Sequence, residues 1–196
     1  ITVLRLNNRA MQSVFDRVFQ AAAPPAAPVV AATELDGAIV LNWGADLAAV
    51  RRTENPIIAD SYVFEGYTIY QLPSATSRLS EGVRIATFDL VNGISVIGEE
   101  SVDQETGLPT TRLLQRGSDA GVQRFLKITE DVVTDVDGRA IPLRNGREYY
   151  FAVTAYDVNT IGDASPVSLE SDPVVVTVKP RIPFGQVRQL DPQHRG

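Results

Sequence analysis

From Pro28 onward, apolar residues recur at every second position in short runs, the period of strands that bury one face. Ile39, Leu41 and Trp43 share one phase of the run Ile39–Trp43. Within Phe64–Gln71, Tyr67 and Ile69 alternate with Thr68 and Tyr70. Glu148–Asp157 is the strongest such run, and Val29–Thr33, Val83–Leu90, Ile94–Ile97, Arg124–Thr129 and Pro173–Val178 complete the predicted strands. Asp36-Gly37, Asn92-Gly93 and Asp137-Gly138 are turn signals, and the second predicts a hairpin between Val83–Leu90 and Ile94–Ile97. Residues 44–62, 72–82 and 99–121 read as polar loops. Val, Ile and Thr number 24, 12 and 14 of 196 residues, which favours strands throughout the body.

The beginning of the chain has a different period. Met11, Val14, Phe15, Val18 and Phe19 follow one another at spacings of 3, 1, 3 and 1, one face of a short helix. Asn7 or Asn8 can cap its N-terminus. So short a helix is marginal alone in water, and its stripe needs a surface to dock on. Its own domain is the first choice, a neighbouring domain or chain the second. Ala21–Pro28 follows, where paired prolines forbid helix and favour an extended, semi-rigid linker.

Three stretches of the body resemble the fibronectin type III domain. Trp43 closes the second strand as that family's buried Trp does. Tyr67-Thr68-Ile69-Tyr70 is similar to its third-strand pattern. Leu143-Arg144-Asn145-Gly146-Arg147-Glu148-Tyr149, continued by Tyr150–Ala155, is similar to the stretch carrying the tyrosine corner, in which the hydroxyl bonds back to upstream backbone. Asn145 replaces the family's usual Pro there, and Arg147 its Thr. The resemblance implies an all-β fold: an immunoglobulin-like, fibronectin type III β-sandwich over residues 28–180, with inserts near 44–62 and 72–123. Residues 1–27 would supply the helix and linker, and 181–196 a basic extension. Arg84–Ile94, with a helix and linker ahead of the domain, also resembles an elaborated subset found in large secreted or surface proteins of Bacteroidetes–Chlorobi-type bacteria.

Composition narrows the chemistry. There are no cysteines, so disulfides, thiolate nucleophiles and Cys-ligated metals are excluded. The one histidine, His194, stands near the C-terminus, a poor place for a catalytic triad or a histidine metal site. No 18-residue apolar run is present to span a membrane. The net charge of −6 divides into +2 on residues 1–20, +3 on 179–196 and the remaining −11 between them. An acidic body is a poor partner for nucleic acid. The basic ends could instead meet the acidic bodies of neighbouring copies. The chain does not begin with Met, and no signal-peptide pattern opens it, so Ile1 reads as an internal or processed boundary within a longer protein.

Several clusters invite a chemical reading. Asp157, Asn159 and Asp163 could ligate calcium through oxygen, though their spacing matches no full calcium loop and turn formation explains them at least as well. Asp135 and Asp137-Gly138 raise the same pair of readings. Glu99, Glu100, Asp103 and Glu105 fall in one acidic stretch and read as solvated, with no cleft for the paired-carboxylate chemistry of glycoside hydrolysis. Tyr62, Phe64, Tyr70 and Tyr156 could stack sugars or, more simply, cover sheet faces.

These readings converge on a noncatalytic structural or adhesive module, without catalytic, cofactor-binding or metal-binding residues. The expected context is a larger secreted or cell-surface bacterial protein, which could be a subunit of an extracellular filament or layer. Its partners would be other domains of the same chain or copies of itself, and not nucleic acid. The alternative is a carbohydrate-binding or calcium-stabilised accessory module of a secreted enzyme.

Overall fold

A computed structural model describes residues 23–55, 61–136, 139–161 and 166–182. The helix expected over residues 7–20 and the basic extension beyond residue 182 lie outside the described residues.

The first strands are β1 (Ala31–Leu35) and β2 (Ala38–Asn42), an antiparallel hairpin turning on Asp36-Gly37. Gly37 has φ +61°, a conformation that a Cβ would strain. Asn145 fixes this turn from a distance. Its Oδ1 accepts the Gly37 N–H at 2.9 Å and its Nδ2 donates to Asp36 at 2.7 Å. β2 pairs on its other side with β7 (Phe125–Ile128), giving the sheet order β1-β2-β7.

A second sheet has the order β11-β10-β3-β4, from β3 (Tyr62–Leu72), β4 (Val83–Asp89), β10 (Tyr149–Asn159) and β11 (Val174–Val178). All its pairings are antiparallel. One buried cluster joins the sheets: Ile39, Leu41 and Trp43 from the first meet Tyr67, Ile69, Phe151 and Val153 from the second. The Trp43 ring lies edge-on to Tyr67 at 5.8 Å and stacks with Phe88 at 6.3 Å. The period-two pattern thus buries the phase it predicts. Almost every residue of β3 and β10 is buried, because the outer face of this sheet is also covered.

The cover comes from the long stretches between strands. β5 (Val96–Val102) and β6 (Pro109–Arg116) form a hairpin whose Ile97 packs with Tyr156 and Val158 on the outer face. β8 (Glu130–Val136) and β9 (Arg139–Pro142) form another hairpin, which meets β3 from the inner side: Gln71, opposite Phe151, donates to Asp131 at 2.7 Å and accepts from Val132 N–H at 2.9 Å. Residues 167–171 run beside the second half of β10, through bonds such as Asp157 N–H to Leu169 at 3.0 Å and Ser171 N–H to Ala155 at 2.8 Å.

Three expectations are corrected. Residues 44–62 are not all loop, because Leu47–Glu54 form a helix, α1. Asp46 caps it, accepting from Ala48 and Ala49 N–H at 2.9 and 3.0 Å, and Ala, Leu, Arg and Glu sustain it. Second, Asn92-Gly93 does not close a hairpin. β4 pairs with β3 and β5 with β6, so the chain changes sheets there. Third, the acidic stretch 99–121 is half strand: Glu99 and Glu100 lie in β5, and Glu99 pairs with Arg112 across the ribbon at 2.7 Å. Pro25 and Pro28, in the segment expected as a linker, are buried.

Candidate functional site

Two features of the described surface stand out: the exposed end of the β5–β6 hairpin and a cleft. Polar side chains hold both.

Glu65 and Asp89 hold the root of the β5–β6 hairpin. β3 and β10 slip register at this point, with Tyr156 opposite Gly66 and Asp157 opposite Phe64, so Glu65 is the extra residue of a bulge. A bulge re-aims its side chain. Glu65 accepts from Asn92 Nδ2 at 2.8 Å. Asp89 Oδ1 accepts from Ser118 N–H, Ser118 Oγ and Asp119 N–H at 3.0, 2.9 and 2.8 Å. Asp119 in turn accepts from Asn92 and Gly93 N–H at 2.8 and 3.0 Å. The two chain segments entering and leaving the hairpin are therefore stitched together. Burial pushes the Glu65 carboxyl above its ordinary range, and the nearby Asp89 and Asp119 charges add to this against the opposing Asn92 bond.

Glu170 forms a second knot on the outer face. It accepts from Tyr70 Oη at 3.1 Å, from Gln115 Nε2 at 2.8 Å and from the Thr154 hydroxyl. Gln115 belongs to β6, so this carboxylate fastens the hairpin to the sheet. Burial and the Glu170 charge push the Tyr70 hydroxyl up to about 12, which keeps it a neutral donor.

Glu54, the last residue of α1, forms a third. It takes both nitrogens of the Arg124 fork at 2.6 and 2.7 Å and the Tyr67 hydroxyl at 2.8 Å. Burial, followed by the Glu54 bond and charge, raises the Tyr67 hydroxyl far above its usual range. This knot seats α1 against the end of the β1-β2-β7 sheet. Beside it opens a cleft of about 450 Å³, lined by Asn42, Leu47, Val50, Arg51, Arg124 and Phe125 among others. Leu47 and Phe125 stand largely exposed at its mouth.

The residues singled out from sequence fall as follows. Tyr62, Phe64, Tyr70 and Tyr156 are all buried, so they form no exposed stacking platform. Asp157 lies inside β10, because the sheet extends to Asn159. It is fully buried and accepts from Leu169 N–H at 2.9 Å, while its Oδ2 has no partner among the described residues. Asn159 makes a turn instead, accepting from Ile161 N–H at 3.0 Å. Asp163, Asp137, Gly138 and the side chain of Asp135 lie outside the described residues. Among the described residues, no three acidic or histidine side chains gather to hold a metal ion. Asp103 accepts from Glu105 and Thr106 N–H at 2.9 and 2.8 Å, ordering the hairpin tip. Glu65, Asp89 and Glu170 are the residues that sequence reading missed; the one available signal was an acid inside the apolar run 62–72.

The chain is an all-β protein of antiparallel sheets, with one short α-helix among the described residues. Among the described residues, no helix is long and apolar enough to cross a membrane. The chain matches no family model, no curated protein and no solved structure.

Proposed function

We propose that the chain is a noncatalytic structural or adhesive module of a larger secreted or cell-surface bacterial protein, built on a fibronectin type III-like sandwich. The observation that carries this reading is the hydrogen bond from Arg144 N–H to the Tyr149 hydroxyl at 2.9 Å, the tyrosine-corner geometry its motif implies. The strand order supports it. Three strands, β1-β2-β7, face four, β11-β10-β3-β4, with Trp43 buried between them. Seven antiparallel strands in two facing sheets is the arrangement of immunoglobulin-like domains. The polar side chains described above are spent on holding inserts to this frame, the economy of a scaffold that presents surfaces.

The carbohydrate-binding alternative finds no exposed aromatic row in Tyr62, Phe64, Tyr70 and Tyr156, which are buried, and Asp157 of the calcium alternative is buried too, while Asp163 lies outside the described residues. Fractionation of the source cells with an antibody to residues 28–180 tests the proposal. The antigen is expected outside the cytoplasm, within a polypeptide longer than this chain. Confinement to the cytosol would overturn it.

A further inference from the structure

The β5–β6 hairpin extends beyond its packed root as a two-stranded ribbon. Val102, Leu108 and Leu113 are 61%, 64% and 50% exposed on it. Large apolar side chains presented on a projecting ribbon mark a contact surface. The tip is already ordered: Asp103 N–H donates to Leu108 O at 2.9 Å, Gly107 N–H to Asp103 O at 2.8 Å, and Gly107 takes φ +69°. An ordered tip loses little conformational freedom when it docks. The ribbon carries Glu99, Glu100, Asp103 and Glu105; Arg112 takes up Glu99, and Arg116 stands at the root, so the tip itself is acidic.

The cleft beside α1 has complementary chemistry. Its mouth is apolar through Leu47 and Phe125, and Arg51 lines it with Arg52 next along the helix. Neither arginine has an acidic partner among the described residues, whereas Arg124 is taken up by Glu54. The hairpin lies on the outer face of the β11-β10-β3-β4 sheet, and the cleft belongs to the β1-β2-β7 sheet packed on the inner face.

We propose that the hairpin tip of one copy seats in the cleft of a second copy, Leu108 against Leu47 and Phe125, with the tip carboxylates facing Arg51 and Arg52. This rests on the reading of the chain as a structural module and supplies contact surfaces for it. Because tip and cleft are different surfaces, the contact is head-to-tail, and repetition gives an open chain or a ring. The exposed charge pairs add little affinity but fix orientation.

Sedimentation velocity on the full chain tests this with two variants, Leu108→Asp at the tip and Leu47→Asp with Arg51→Glu at the cleft. Both sets of residues are exposed, and unchanged thermal melting checks that each variant folds. The parent is expected to self-associate with rising concentration, and each variant to associate at least tenfold more weakly. An equal mixture of the two variants restores one tip and one cleft, so it should give a dimer that grows no further. A parent that stays monomeric at millimolar concentration overturns the proposal. So does association that either variant leaves unchanged, or a mixture that stays monomeric. Association unaffected by both variants would discard these surfaces while leaving the structural-module reading intact. Antigen confined to the cytosol would discard that reading whatever the sedimentation result.

Discussion

The Tyr149 hydroxyl accepts the backbone N–H of Arg144, five residues upstream, at 2.9 Å. The bond closes the loop Leu143–Glu148, whose Leu143 is buried in the core and whose Asn145 reaches the β1–β2 turn. One phenol therefore fixes a loop that links the start of β10 to the first hairpin. Arg147 sits over the same ring at 5.4 Å. Tyr149→Phe keeps the ring and that contact but leaves the Arg144 N–H without its acceptor, at an expected cost of about 1–3 kcal/mol. Leu143→Ala opens a cavity at an expected cost of about 2–5 kcal/mol. Urea denaturation measures both, and parent-like midpoints for the pair would contradict the corner's structural role.

Glu54 is the single acceptor on which α1, Arg124 and Tyr67 converge. Glu54→Ala strands a tyrosine hydroxyl and a guanidinium together, so the expected loss is about 2–3 kcal/mol, more than for an ordinary surface pair. Tyr67→Phe removes only one of the donors and should cost less. Hydrogen exchange across Leu47–Glu54 should rise in the first variant, because an eight-residue helix persists only through its docking. Unchanged protection there would mean that the apolar contacts of Ala49 and Val50 hold α1 without the knot.

Gly117 approaches Asp89 more closely than any side chain permits. A Cβ at this position would lie 1.6 Å from Asp89 Oδ2. Gly117→Ala must push aside either the carboxylate that binds Ser118 and Asp119 or the backbone joining β6 to that loop. The expected destabilisation is about 1–3 kcal/mol by thermal melting. Asp89→Asn combined with Gly117→Ala should not add the two separate losses, because both act at one contact.

The elements legible in the sequence were those with an apolar side to bury. Ile39-Leu41-Trp43 and Tyr67-Ile69 announce their sheets because alternate residues enter one shared core. The β5–β6 ribbon gave no such sign. Beyond its root it has little core to face, so Glu, Ser and Thr occupy both sides and the segment reads as loop. α1 escaped for a related reason: it buries only Ala49, Val50 and Thr53, too few positions to show a helical period. The polar knots were the least legible. Glu65 meets Asn92 and Glu170 meets Gln115, partners 27 and 55 residues apart in the chain. An acidic residue read locally looks solvated, and only the assembled sheets bring its donors to it.

Asp157 gives stability a pH dependence whose sign follows from its burial. Desolvation raises its carboxyl to about 6 from an ordinary 3.8, against the opposing bond from Leu169 N–H. The folded state therefore holds this proton more tightly than the unfolded chain does. The stabilisation is complete below the unfolded value and is lost as pH rises through about 6. Stability should consequently increase on acidification from pH 7 toward about 4, with Glu65, also raised, acting in the same direction. Asp131 works the other way. Burial opposes its ionisation, but Thr134, Gln71 and Val133 donate to it and hold it below its ordinary value, so its contribution fades as pH falls beneath the usual carboxylate range. A stability maximum on the acid side of neutrality is expected. Asp157→Asn keeps an oxygen for Leu169 N–H and removes the titration, so it should flatten the rise between pH 7 and 5 and raise stability at pH 7. Denaturant midpoints across that range for parent and variant measure the difference. Parallel curves would show that Asp157 is solvated in the folded chain.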